Sequence, residues 1–150
     1  MKPFSVFILA SFILLSAACT PAAKTISITK QDGKCTLDSG SRVSAGDVSV
    51  KFTNQDPAPL QNIISFLTLN EGKGHQDLVD LKWTADIDYP PAWSAWQGDM
   101  GTGPNSQSEK TFMFKEGPLF VVCISGDQTI SSKEHPIAGY GVLGPIQVVK

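Results

Sequence analysis

The chain has 150 residues, 41% of them hydrophobic and 17% charged, with a formal net charge of −2. That balance excludes an intrinsically disordered chain and a nucleic-acid binder driven by basic charge, because there is enough apolar material to bury and no excess of positive charge to meet phosphates. A single domain of this size removes about two-thirds of its unfolded surface from water, so its core does not depend on a dense disulfide framework and its three cysteines need separate explanations.

At the N-terminus one basic residue, Lys2, precedes an apolar stretch over 4–15 that is too short for a comfortable membrane span, and Ser16, Ala17 and Ala18 follow. This is the pattern of a secretory signal over 1–18. Leu15-Ser16-Ala17-Ala18-Cys19 resembles a bacterial lipobox, in which cleavage falls before a lipid-modified cysteine, although Ser16 stands where a branched aliphatic residue is usual. The resemblance implies lipidation of Cys19 and a membrane partner through that lipid. Ordinary cleavage after the small triplet is the alternative, with Cys19 left as a free thiol. Both place the domain outside the cytoplasm, in a periplasm or on a cell surface, where disulfides form and persist.

A linker over 19–24 leads into one domain over 25–150. Brief runs of β-formers, separated by Gly, Pro, Asn and Asp clusters, predict an all-β antiparallel Greek-key sandwich. The predicted strands are 25–29, 47–54, 62–69, 110–114, 119–125 and 146–150. In the second of these Val48, Val50 and Phe52 share one face, opposite Ser49 and Lys51. In the fourth, Phe112 and Phe114 oppose Thr111 and Met113. Between 70 and 108 the strand rhythm breaks. Leu78 and Leu81 are spaced for a short helix over 77–83, and the rest reads as one long connection across the end of the sandwich. Trp83, Trp93 and Trp96 in this stretch read as packing anchors.

The informative constellation is C-terminal: Gly117, then the apolar run Phe120-Val121-Val122-Cys123, an eleven-residue loop, and His135-Pro136-Ile137-Ala138-Gly139-Tyr140 before a final strand. An apolar strand ending in Cys, followed by a loop with His and then Gly, resembles the last third of a cupredoxin, the small copper-binding β-sandwich family. The resemblance extends back to Ala45-Gly46-Asp47-Val48-Ser49-Val50-Lys51-Phe52-Thr53-Asn54 and to Gln61-Asn62-Ile63-Ile64. It implies a cupredoxin-like fold with Cys123 and His135 at copper-ligand positions. Gln61 then stands where the family's first copper His falls, and Tyr140 where its Met falls.

A blue-copper centre takes a thiolate and two imidazole nitrogens, with a weak axial thioether or oxygen donor. This chain is short of one imidazole and the thioether, and its other histidine, His75, lies in the polar turn Gly72-Lys73-Gly74-His75, far in sequence from any ligand position. The fold so implied also brings Cys35 to the same end as Cys123. Two close thiols in an oxidising compartment tend to join, and a bond closing so long a loop stabilises by roughly 4 kcal/mol in the loop-entropy model. A soft-metal site of two cysteines and one histidine is the other use of the same residues. His135 can equally fix its loop through a backbone carbonyl.

The chain has no Gly-x-Ser-x-Gly, His-Glu-x-x-His, phosphate loop or Cys-x-x-Cys. Asp77, Asp80, Asp86 and Asp88 cluster near the helical segment, as acids on solvated faces commonly do. The reading is therefore a lipid-anchored cupredoxin-like binding or accessory protein of the envelope. It is not an enzyme, has no cofactor and no nucleic-acid partner, and meets an envelope protein or redox partner. Copper binding for electron transfer or delivery through Cys123, His135 and either Gln61 or Tyr140 is the alternative.

Overall fold

The computed structural model describes residues 23–57, 60–81, 90–127 and 139–150. In chain order these hold β1 (Thr25–Gln31), β2 (Lys34–Leu37), β3 (Arg42–Ser44), β4 (Gly46–Asn54), β5 (Leu60–Leu69), α1 (His75–Val79), β6 (Ser94–Thr102), β7 (Ser106–Phe114), β8 (Gly117–Asp127) and β9 (Gly139–Val149). They form two facing sheets, one in the order β2-β1-β4-β7 and the other β3-β9-β8-β5-β6. This is the all-β two-sheet sandwich that the sequence resemblance implies. It is not wholly antiparallel: β1 runs parallel to β4, and β3 parallel to β9. The signal segment and Cys19 lie outside the described residues.

Period-two alternation explains the inner layer. Ile26 and Ile28 of β1, Val48, Val50 and Phe52 of β4, Ile64 and Phe66 of β5, Phe112 and Phe114 of β7, and Leu119 and Val121 of β8 are buried in one apolar cluster between the sheets. In β1, β4 and β7 the alternate positions are exposed or half-buried, and Met113 is 75% exposed. Three rings form the centre. Phe66 lies 5.1 Å from both Phe112 and Phe114, tilted against each, while Phe112 and Phe114 stack at 5.7 Å.

The five-stranded sheet is apolar on its outer face as well. Leu67, Phe120 and Val122 pack there under Leu78 of α1, ringed by Leu69, Trp93, Ile124, Tyr140 and Val142. Among the described residues the helix occupies His75–Val79, starting two residues before the expected 77, because its first turn is fixed by local polar contacts. Asp77 accepts from the Gly74 N–H at 2.9 Å and from Lys73 Nζ at 2.8 Å. Trp93 serves as the anchor expected of it, with Lys73 Nζ 5.3 Å from its ring centre. Trp96 does not, being 52% exposed on the edge strand β6, and Trp83 lies outside the described residues.

The stretch over 70–108 is more than one connection, since it contains β6 and the start of β7. Strand β6 pairs with β5 through a register shift between Phe66 and Leu67. Gly98 sits at that irregularity with φ +132, and a Cβ there would come within 2.7 Å of the Phe112 ring. Two independent demands, backbone and space, thus require glycine at this position.

Truncating Phe66→Ala should cost about 3–5 kcal/mol, read by urea unfolding, whereas Met113→Ala should stay within about 0.5 kcal/mol. Gly98→Ala should also destabilise. The Lys73 hydrogen bond, followed by the Gly74 amide, holds the Asp77 carboxyl below its ordinary value. Its contribution is therefore present above the unfolded carboxylate range and lost as pH falls through the folded value. Melting temperatures of Asp77→Asn and the parent should differ at neutral pH and converge in acid.

Candidate functional site

At the end of the sandwich where β1 and β4 finish and β5 begins, the inward positions turn from apolar to polar on both sheets. Along β1, Ile26 and Ile28 are succeeded by Lys30, and along β4, Phe52 by Asn54. On the facing sheet Asn62 precedes Ile64 in β5, and Ser125 follows Cys123 in β8. The register makes these two rungs: Lys30 lies opposite Asn54 and Cys35, and Asn62 opposite Ser125 and Thr102.

The rungs meet through hydrogen bonds. Asn62 Nδ2 donates to Asn54 Oδ1 at 2.6 Å and, at 3.4 Å, to Asp56 Oδ2. Asn54 Oδ1 also accepts from the Asp56 N–H at 2.9 Å, and Asn54 Nδ2 donates to the Gly103 carbonyl at 2.8 Å. The Thr102 and Ser106 hydroxyls join at 2.8 Å, and the Gly33 N–H reaches Asp56 Oδ1 at 3.3 Å. Three buried atoms have no hydrogen-bond partner among the described residues: Lys30 Nζ, Asn62 Oδ1 and Ser125 Oγ. Burial pushes the Lys30 amine below its ordinary value, with the Asp56 carboxylate acting in the opposite direction. Beside the rung a shallow cleft of about 290 Å³ is lined by Thr53, Asn54, Gln55, Asn105, Ser106 and Gln107.

One step inward from Ser125, Cys123 is bonded to Cys35. The bond ties the edge strand of one sheet to an inner strand of the other, across a Cα–Cα distance of 6.5 Å and a sequence separation of 88. Such a bond belongs to an oxidising compartment.

Of the other residues named from the sequence, Tyr140 and His75 do not gather around this sulfur pair. Cys123 faces the inner cluster, whereas Tyr140 lies in the outer one, its hydroxyl donating to the Leu78 carbonyl at 2.6 Å. Adjacent positions of the paired strands explain the split, since Tyr140 opposes Ile124 and Gly141 opposes Cys123. Tyr140 is therefore on the wrong face to complete a shell with Cys123. His75 is half-buried instead of sitting in an open turn, with Nε2 3.3 Å from the Val142 carbonyl in the same outer layer. Gln61 pairs through its backbone with Gly126; its side chain and all of His135 lie outside the described residues.

Of the residues named as copper ligands, Cys123 has its sulfur in the disulfide and Tyr140 turns its phenol to the helix, so in this arrangement neither is presented to a type 1 copper ion. Among the described residues no group of three or more His, Cys, Asp or Glu is placed to hold a metal ion. Nor is any helix among them long and apolar enough to cross a membrane.

Sequence reasoning missed the polar rung. Its signal was present in the continuation of the Ile26, Ile28 alternation onto Lys30, which places a lysine on an inward face.

No family model matches the chain, and no curated protein does. Among solved structures it is similar to the dithionite-reduced auracyanin from Roseiflexus castenholzii, with 20% identity over 86% of this chain and 99% of that one and a TM-score of 0.47. Auracyanin A, a "blue" copper protein from Chloroflexus aurantiacus, shows 20% identity over 84% and 98%, with a TM-score of 0.42. A multi-copper oxidase from Pediococcus acidilactici shows 16% identity over 81% of this chain and 27% of that one, with a TM-score of 0.36. Likeness at this level says nothing about the site.

Replacing both Cys35 and Cys123 by Ala should cost about 2–5 kcal/mol in urea unfolding, through the freed loop of the unfolded chain. Tyr140→Phe should cost about 1 kcal/mol and raise amide exchange in α1 without altering the disulfide.

Proposed function

We propose that this chain is a lipid-anchored accessory or binding module of the cell envelope, built on a cupredoxin-like sandwich in which the copper-cysteine position serves a structural disulfide. The observation that carries this reading is the bond between Cys123 and Cys35. A sulfur held in a disulfide supplies no thiolate, and without a thiolate the short, covalent copper–sulfur bond of an electron-transfer centre does not form. Gln61 at the position of the first histidine and Tyr140 turned toward α1 support the same conclusion. In this reading the protein takes no cofactor and performs no catalysis; it meets an envelope partner by surface complementarity. Cys19, at the end of a lipobox-like segment, is the site of the lipid that holds it at the membrane.

The full chain, isolated without reductant and titrated with Cu(II), should develop no intense thiolate-to-copper absorption. An intense blue or green band would establish copper binding through Cys123 and overturn the reading. Cys19→Ala should move the protein from the membrane fraction to the soluble one; unchanged partitioning would remove the lipid anchor from the account.

A further inference from the structure

The polar rung at the end of the sandwich contains the parts of a condensation, independently of how the copper question is answered. Lys30 is fully buried, and its Nζ has no hydrogen-bond partner among the described residues. Burial disfavours the ammonium at that position, against the pull of the Asp56 carboxylate, and so eases release of the neutral amine, which is a nucleophile. Asn62 is also fully buried. Its Nδ2 is held by Asn54 Oδ1 and Asp56 Oδ2, while its Oδ1 receives no donor from the described residues. The Asp56 carboxylate neighbours both groups, hydrogen-bonded to the amide of Asn62 and acting electrostatically on Lys30. Lys30 projects from one sheet and Asn62 from the other. Facing sheets stand about 10 Å apart, a gap that a lysine stem and an asparagine side chain meeting head to head can bridge.

We propose that Lys30 and Asn62 are joined by an isopeptide bond that pins β1 to β5 across the core, formed by the protein on itself with Asp56 moving the proton. Lys30 Nζ attacks Cγ of Asn62, and the proton released from the amine passes to Asp56. Asp56 delivers a proton to Nδ2, the Cγ–Nδ2 bond breaks, and ammonia leaves. One C–N bond forms as another breaks, with no change of oxidation state and no co-reactant. Burial of amine and amide at fixed positions supplies the proximity that makes an otherwise sluggish aminolysis feasible. Ser125, opposite Asn62 in the register and with its hydroxyl unpartnered among the described residues, is the adjacent donor for the oxygen on which negative charge develops. In the product the single amide N–H keeps one of the two acceptors that Nδ2 served. Asn54, although directly opposite Lys30, is not the acyl group, because both ends of its amide are already engaged.

The test is peptide mass spectrometry on the full chain purified from its membrane fraction, reduced, denatured and digested with trypsin. The expected result is a branched peptide containing Lys30 and Asn62, uncut after Lys30 and lighter by one ammonia than the two segments taken separately. Recovery of Lys30 and Asn62 only in separate, unmodified linear peptides would overturn the proposal and leave an ordered water as the bridge between the unpartnered atoms. In Asp56→Asn, checked for folding by its intact Cys35–Cys123 bond, the branched peptide should disappear. Its persistence there would overturn the role given to Asp56.

Discussion

The structure depends on one constraint, that the inward positions of four strands stay apolar over the same length and change character at the same level. Ile26 and Ile28, Val48, Val50 and Phe52, Ile64 and Phe66, and Val121 and Cys123 supply the apolar part. Lys30, Asn54, Asn62 and Ser125 supply the polar end. A slip of one residue in β1 or β4 would turn apolar side chains to water, and one in β5 or β8 would exchange the residues of the inner and outer layers. The shared level is therefore what fixes register across both sheets. It also determines where the sulfurs meet, since Cys35 is placed by its pairing with Lys30 and Cys123 by its position one step below Ser125.

The five-stranded sheet is buried on both faces, by the other sheet inside and by α1 outside. Neighbouring residues on its strands consequently serve different layers. Cys123 belongs to the inner layer, while Tyr140, paired with the residue after it, belongs to the outer one. This separates residues that the sequence sets at family ligand positions, and it gives His75 and Tyr140 work in seating a five-residue helix whose own length offers little stability. The same two-sidedness explains why Phe120, Val121 and Val122 form an unbroken apolar run.

Alternation made β1, β4 and β7 legible in the sequence, and runs of β-formers did the same for β5, β8 and the end of β9. Strands β2 and β3 were not, being too short to show a period. Strand β6 was hidden by its two glycines, one of which is needed for a bulge that passes the Phe112 ring. For the site, the meeting of Cys35 and Cys123 followed from a family resemblance, whereas the polar rung around Lys30 was invisible because a lysine at the end of a strand reads as solvent-exposed. Only the arrival of Asn62 and Ser125 from other strands, and of Asp56 from the segment after β4, encloses it.

By itself, the sequence determined the fold class, through a side-chain period that favours strands over most of the domain, and it determined which cysteines were available to a disulfide. Tertiary structure decided which face each residue serves and which of them meet, because those depend on the pairing of strands far apart in the chain. Local pattern carries no information about such pairing: Lys30 and Asn54 share a rung, as do Asn62 and Ser125, for reasons that lie in the whole sandwich.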